Sequence, residues 1–391
     1  MKVAVVSSGK FSVPPVTGTS VEHVINQLAI RIKERHTVTV YTRKCEDYPT
    51  SSKNGNLHYK RFSYSHADGY LNSVLNHLQK NKPDLIVVEN RPSFLLTIKK
   101  ANPHIPILLN MHSEVFSKEK YISYNSMIEV SKVADGLITN SKALEKAFVK
   151  KYPLFKGKTY PIHLGIDMLP YDIAKTDEKL IREWRDKLGI EENSPILLFA
   201  GRLIKRKGVH LLLEIMPKLI EKNPNLKLII IGSTNYGIDK QTKYRKRVLN
   251  LTKKLQGHII FTGFVKPDQM PAIYQLADIV ITPSIWKEPF LLVNLEAMAS
   301  GKAVISTRNG GIPEVVLHGE TGLIFADKHY QIELPLYIQY LLDYEEIRRK
   351  LAENGRKRAK EFSWDKAADR YIYAFHEVIK NSYLEEGREG L

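Results

Sequence analysis

The sequence predicts an α/β chain of two doubly wound domains, and three observations predict it. Short apolar runs rich in Val, Ile and Leu recur along the chain. Stretches with helical spacing lie between them, a β-α-β rhythm that implies a parallel sheet covered by helices on both faces. A polar stretch around Asp167–Asp177 then separates two such series, which places a domain boundary near residue 167. A chain of 391 residues is comfortable for two cores of ordinary size.

The elements follow in order. In the first domain, residues 1–166, the runs Val3–Val6, Thr37–Tyr41, Leu85–Val88, Ile107–Asn110 and Gly136–Thr139 read as buried strands. Val21 to Arg35 reads as the first helix, on the repeat of Val24, Leu28 and Ile32. In the second domain, residues 167–363, strands are expected at Ile196–Ala200, Leu228–Ile231, Ile259–Phe261, Ile279–Thr282 and Ala303–Ser306. Its helices are expected at Leu211–Glu221, Arg245–Leu255 and Asn294–Ala299. The tail, residues 364–391, carries Ala367, Tyr371, Phe375 and Val378 on one helical stripe, the pattern of a docking helix from Trp364 to about Ser382. Leu384 to Leu391 is expected to lack structure. Such domains bind ligands at the C-terminal ends of their strands, which would face a shared cleft.

Composition narrows the class. With 43% hydrophobic and 26% charged residues, the chain is neither disordered nor fibrous. No apolar run approaches the roughly 18 residues of a membrane helix, and Val3–Val6 reads as a strand rather than part of a signal peptide. The single cysteine, Cys45, excludes a disulfide framework and a cysteine metal site, reads as an incidental thiol, and suits a reducing cytoplasm. The net charge of +17 is uneven: residues 1–165 hold +12 and the remaining 226 only +5. Nucleic acid, an anionic membrane and a small anionic ligand could each answer that charge. There is no zinc spacing, RNA-binding aromatic signature or helix-turn-helix, so nucleic acid is not expected. The basic stretches Arg31–Arg35 and Lys142–Lys158, read as helices, are the candidates for an anionic acceptor or membrane surface.

Three segments carry candidate chemistry. Val3–Gly9, then Pro14-Pro-Val-Thr-Gly-Thr-Ser20, form a strand, a Gly/Ser/Thr loop and a helix start, where backbone N–H groups can meet an anion. Neither the dinucleotide fingerprint nor the P-loop is present, and a plain structural turn fits that loop equally well. Gly201-Arg-Leu-Ile-Lys-Arg-Lys-Gly208 sets four cations at a strand end, suited to a diphosphate. Glu288-Pro-Phe-Leu-Leu-Val-Asn-Leu-Glu296 reads as a helix with Pro near its start and Gly301 past its end. On that reading its two glutamates lie about 12 Å apart along the axis, flanking the positive helix mouth. A carboxylate, then amides, then a carboxylate match a sugar, a diphosphate and a ribose. The alternative is that Glu288 caps the helix and Glu296 is solvated, which leaves unexplained why Glu296 stands among Val293, Leu295, Ala297 and Met298.

On these residues the chain resembles the retaining glycosyltransferases of family 4, whose GT-B fold sets two Rossmann-like domains across a cleft. The ordered set is Thr17-Gly-Thr-Ser-Val-Glu22, Gly201-Arg202 with Lys207-Gly208, Gly263-Phe264, the paired-glutamate segment, Gly310-Gly-Ile-Pro-Glu314, Gly319-Glu-Thr-Gly322 and Phe362-Ser-Trp364. Around Pro14-Pro15 and Glu89-Asn-Arg-Pro92 it is most similar to spore-coat and cell-envelope polysaccharide transferases. The resemblance implies a C-terminal helix that crosses back to the first domain. It implies Arg202 and Lys207 on the donor diphosphate, with Gly18, Thr19 and Gly201 beside it. Glu288 would hold hydroxyls of the transferred sugar, and His112 would contact it near the reacting carbon. The amides of Phe290, Leu291, Leu292 and Val293 would meet sugar and phosphate. Glu296 would hold the ribose, Phe264 and Val265 the base, and Asn90 and Arg91 the acceptor. The Asp-x-Asp metal motif of the other main transferase fold is absent, so no metal is expected, and fixed cations take the leaving-group role.

Three departures stand out: Leu291 where the family commonly has Gly, Thr19 where a second Gly is usual, and His163-Leu164 in place of Asn-Gly before the linker. The expected activity is retaining transfer of a hexosyl unit from a nucleotide diphosphosugar, a UDP-sugar first, to a glycan, lipid-linked or other envelope acceptor. No other cofactor is expected. The expected setting is the cytoplasm, at the inner membrane face or recruited to a spore coat. Two other classes remain open on the residues, a nucleotide-sugar epimerase of the same fold and a non-catalytic nucleotide-sugar- or carbohydrate-binding coat protein.

Overall fold

The computed structural model describes residues 1–16, 19–172, 175–234 and 241–389, with side chains as far as Leu384. The chain divides into two compact units, Met1–Gly165 with Trp364–Leu391, and Ile166–Ser363. Among the described residues no helix is long and apolar enough to cross a membrane.

The first unit is built on eight strands: β1 (Lys2–Val6), β2 (Thr37–Arg43), β3 (Ser51–Asn54), β4 (Leu57–Phe62), β5 (Leu85–Glu89), β6 (Ile107–Met111), β7 (Gly136–Thr139) and β8 (Thr159–Pro161). Their order is β3-β4-β2-β1-β5-β6-β7-β8, parallel throughout except for the β3–β4 pair. The predicted strands are all present, because a strand buried on both faces must be apolar along its length. β3 and β8 are additions at the two sheet edges, where short, polar sequence suffices, and β4 is a further addition between β3 and β2. Strand order reverses at β1 and β5, which pair directly through Val6 and Val88. The loops after those strands therefore diverge, and a crevice opens between them.

The C-terminal helix, Trp364–Glu389, packs on the first helix, Ser20–Ile32. The predicted stripe of Ala367, Tyr371, Phe375 and Val378 is buried there. Arg31 reaches Asp365 at 2.9 Å and Arg35 pairs with Asp369, so two cations of the Arg31–Arg35 stretch face carboxylates within their own unit. Residues expected to lack structure after Leu384 continue this helix through Glu389. The stretch Lys142–Lys158 is an α-helix only over Lys142–Lys151, followed by a 3-10 turn at Pro153–Phe155, and β8 begins at Thr159.

The second unit holds six parallel strands: β9 (Ile196–Ala200), β10 (Lys227–Ile231), β11 (Ile259–Gly263), β12 (Ile279–Thr282), β13 (Ala303–Thr307) and β14 (Leu323–Phe325). Their order is β11-β10-β9-β12-β13-β14. β14 is the one strand the sequence reading did not anticipate. The reversal lies between β9 and β12, so the loops carrying Gly201–Lys207 and Ser284–Glu288 flank this unit's own crevice. Helices Val209–Lys222 and Tyr330–Asp343 pack together around Leu212, Met216, Leu334 and Ile338.

Candidate functional site

In the second unit the loops after β9 and β12 are pressed together by glycine. Gly208 has φ +77°, and a Cβ there would stand 1.7 Å from the Pro283 carbonyl oxygen. Only glycine accepts both the backbone angle and that approach. The contact brings the turn Lys205–Lys207 against the segment after β12, where the Ile285 amide donates to the Arg206 carbonyl at 3.0 Å. Arg206 also lies over the Trp286 ring at 4.5 Å. Arg202 and Gly201 occupy the start of the same loop.

This juxtaposition sets Lys207 beside Glu288. The ammonium donates to Glu288 Oε1 at 2.6 Å, and the Ser284 hydroxyl donates to the same oxygen at 2.8 Å. Glu288 is only 3% exposed, so an opposite charge and a hydroxyl are what such a carboxylate needs there. Its other oxygen, Oε2, has no donor among the described residues. The backbone is held too: the Gly311 amide donates to the Glu288 carbonyl at 2.7 Å, while a Cβ on Gly310 would meet that carbonyl oxygen at 2.1 Å. Ser284 is fixed in turn, its carbonyl accepting from Thr307 Oγ1 at 2.7 Å and Asn309 Nδ2 at 3.0 Å.

The helix in the paired-glutamate segment is shorter than predicted. It spans Leu292–Ala299, with Leu291 as its N-terminal cap, so Glu288 and Pro289 precede it. A helix started by Pro289 would need the Glu288 carbonyl to accept the amide four residues on, and that carbonyl takes Gly311 instead. The 12 Å axial spacing therefore does not describe the pair. The first-turn amides of Leu292 and Val293 lack intrahelical partners, as at any helix start. Leu291 has φ −121°, an ordinary extended backbone, and its side chain is buried. Nothing in its conformation requires glycine. Phe290 is buried as well, with its ring 6.3 Å from that of Phe362.

Glu296 meets a different environment. The Tyr274 hydroxyl, on the helix Met270–Leu276, donates to its Oε2 at 2.7 Å. The Tyr171 ring packs edge-on to Tyr274 at 6.1 Å. Burial raises the Glu296 carboxyl above its ordinary range, and the Tyr274 hydrogen bond works against that rise. Burial also pushes both phenols well above the usual tyrosine value, so they stay protonated donors. Beyond β11, Phe264 is exposed and Val265 buried. Their loop lies beside Gly232, whose amide donates to the Gly263 carbonyl at 2.8 Å and whose Cβ would meet the Gly201 carbonyl oxygen at 2.1 Å.

The first unit gathers His112, Asn90 and Arg91 at the ends of β5 and β6. His112 Nε2 lies 2.8 Å from Glu89 Oε2, both groups being buried. The His112 amide donates to Asn90 Oδ1 at 2.8 Å, with Asn90 in the left-handed region at φ 52°. Asn110 Nδ2 reaches Glu89 Oε1 at 3.1 Å and the Tyr371 hydroxyl at 2.9 Å. Arg91 stacks over the Phe116 ring at 3.9 Å and donates to the Asn90 carbonyl at 2.9 Å. Nearby Glu22 is buried, which raises its carboxyl, while the His112 and Arg91 charges pull it down. Thr19 is buried directly before the first helix, and Gly18 lies outside the described residues.

Glu89, Ser284 and Tyr274 are not predicted as site residues, and Tyr371 is predicted only as part of the docking stripe. Glu89 touches His112, Ser284 touches Glu288 and Tyr274 touches Glu296, while Tyr371 reaches Glu89 through Asn110. Glu89, adjacent to Asn90 within the quoted motif, and Tyr371, on the apolar stripe of the tail, carried a local signal.

Two family descriptions match the chain: glycosyl transferases group 1 over residues 181–358, and glycosyltransferase family 4 over residues 21–168. The spore coat protein SA of Bacillus subtilis is 31% identical over 378 residues, covering 96% of this chain and 99% of that protein. The lipopolysaccharide 1,2-N-acetylglucosaminetransferase of Salmonella typhimurium is 30% identical over 399 residues, covering 95% of this chain and 96% of that enzyme. Among solved structures, Anabaena HepE in complex with UDP superposes with a TM-score of 0.76 at 22% identity, over 96% of this chain and 100% of that one. At that identity the likeness speaks for the fold alone.

Proposed function

This chain belongs to the family 4 glycosyltransferases, in the GT-B α/β fold, and from that premise we propose that it transfers a hexosyl unit from a nucleotide diphosphosugar to an acceptor hydroxyl with retention of anomeric configuration. The observation that carries this reading is the partly exposed Lys207 paired with the buried Glu288, with one carboxylate oxygen left over. An ammonium has three donors and gives one to Glu288, so it can also meet a diphosphate oxygen. Glu288 Oε2 can accept a sugar hydroxyl at the same moment. Arg202 and Lys207 then stabilise the departing nucleotide as charge develops on it, and the Leu292 and Val293 amides add to that field. His112, held in orientation by Glu89, contacts the transferred sugar near the reacting carbon. Glu296 takes the ribose, and the backbone at Phe264–Val265 the base. With two fixed cations in this role, turnover is expected to persist in a chelator.

UDP is the first nucleotide to try, since the Anabaena structure holds UDP. A cell-envelope or spore-coat acceptor fits what the Salmonella and Bacillus relatives are called. Arg91, stacked at the end of β5, and the net charge of +12 on residues 1–165 favour an anionic acceptor or an anionic membrane surface. Exposed Tyr121, Tyr124 and Leu154 beside exposed Lys118, Lys120, Lys151 and Lys156 supply an apolar and basic face for the latter. Flotation with neutral liposomes and with liposomes containing acidic lipid tests that part. Binding restricted to acidic liposomes supports it, and equal partitioning removes it.

The central test is a panel of UDP-, ADP- and GDP-sugars incubated without acceptor. Release of free nucleotide, with the sugar set free in the donor's anomeric configuration by NMR, supports the proposal. An epimerised nucleotide sugar would assign an epimerase, and no turnover of any donor a binding protein.

A further inference from the structure

Glu296 is a helix residue whose two oxygens differ. Oε2 accepts the Tyr274 hydroxyl at 2.7 Å. Oε1 has no donor among the described residues and is not among the buried oxygens left without a partner, so it opens outward. Tyr274 itself is wholly buried, and its ring is fixed edge-on by Tyr171. Two aromatic side chains thus restrain one carboxylate oxygen and leave the other available. Lone carboxylates on helices can swing between rotamers, and a fixed donor removes that freedom.

We infer that Tyr274 is a positioning residue for nucleotide recognition: it locks Glu296 so that Oε1 faces a ribose hydroxyl. This rests on the reading that Glu296 receives the ribose. The phenol does a second thing by its chemistry. It favours the charged form of a carboxylate whose proton affinity burial raises, and the charged form is the stronger acceptor of a hydroxyl. Tyr171 acts through Tyr274 by holding the ring.

The variants are Tyr274→Phe, which keeps the buried ring, and Glu296→Gln. The probes are whichever of UDP, ADP and GDP binds the wild type most tightly, and its 2′,3′-dideoxy counterpart. Affinities are read by calorimetry across pH 5.5–8.5. In Tyr274→Phe the ribonucleotide is expected to weaken about tenfold, the scale of a hydrogen bond to a charged group, while the dideoxy form changes little. The pH at which binding declines should also move upward, since the bond that lowered the carboxyl's proton affinity is gone. An inert spacer would move neither the ribose preference nor the pH profile. If Glu296→Gln loses the preference for ribose and Tyr274→Phe keeps both it and the wild-type pH profile, the positioning role is overturned and the ribose reading stands. If Glu296→Gln keeps the preference, the ribose reading falls and the inference with it. A wild type indifferent to all three nucleotides overturns both.

Discussion

Glu288 and Glu296 stand eight positions apart in one segment and are held by opposite means. Glu288 is clamped by a cation and a hydroxyl on one oxygen, and its backbone is pinned by Gly310 and Gly311. Glu296 rides a helix and is held by a neutral phenol. The difference teaches that one residue type can serve two tasks through its neighbours. A carboxylate beside a fixed ammonium sits where charge changes during a reaction. A carboxylate beside a phenol, its proton affinity raised by burial, suits recognition of neutral hydroxyls.

The largest break in this comparison comes at Lys207. Lys207→Met leaves Glu288 buried without its opposite charge, and roughly 3 kcal/mol of stability is expected to go, the low end for a broken buried pair because Lys207 is partly exposed. Turnover should fall at least about a hundredfold, as when one transition-state charge contact is lost. Urea melts and nucleotide release measure the two effects. Next is Gly208→Ala, which forces a side chain against the Pro283 carbonyl at φ +77°. It should cost about 3 kcal/mol and open the Lys207–Glu288 contact, leaving the Tyr274–Glu296 contact intact. Loss of sugar-dependent turnover with ribose preference retained would be the sign of it.

A smaller effect is read by pH at Glu296. The Glu296 carboxyl binds its proton more readily folded than unfolded, so in the window between those two affinities the folded state holds the extra proton. Falling pH through that window stabilises the ligand-free protein while nucleotide affinity declines. Comparing thermal melts and nucleotide binding of the wild type with Glu296→Gln isolates this group, and parallel trends in the two readouts would count against it. The smallest effect serves as the control. Arg31→Ala breaks a pair whose Asp365 is mostly exposed, and should change stability by less than about 1 kcal/mol with donor turnover unaltered.

How much of this was legible follows from the range of the interactions. Strands such as β5 and β9 are buried throughout, so their composition announces them. β4 hides itself, because its inward face carries Leu57, Tyr59 and the buried Arg61, whose two terminal nitrogens donate to the Pro49 and Val13 carbonyls. Pro289 before an apolar run imitates a helix start, and only the distant Gly311 amide shows why the helix begins later. The cations of Gly201–Gly208 were visible as a local cluster. That Lys207 lands on Glu288 depends on a contact across 81 positions, and that Tyr371 completes the Glu89–Asn110 network on one across 261. Local pattern therefore delivers the strands and the residue types, while tertiary contact decides which oxygen is held and which is left open.

The most direct test is steady-state turnover of the best donor by Glu288→Gln and Glu296→Gln, with kcat and KM separated. A clamped carboxylate at the reacting sugar and a recognition carboxylate at the ribose predict a split. Glu288→Gln should lower kcat about a hundredfold, and Glu296→Gln should raise the donor KM about tenfold with kcat nearly kept. Equal effects of the two variants on kcat, or the split reversed, would contradict the assignment.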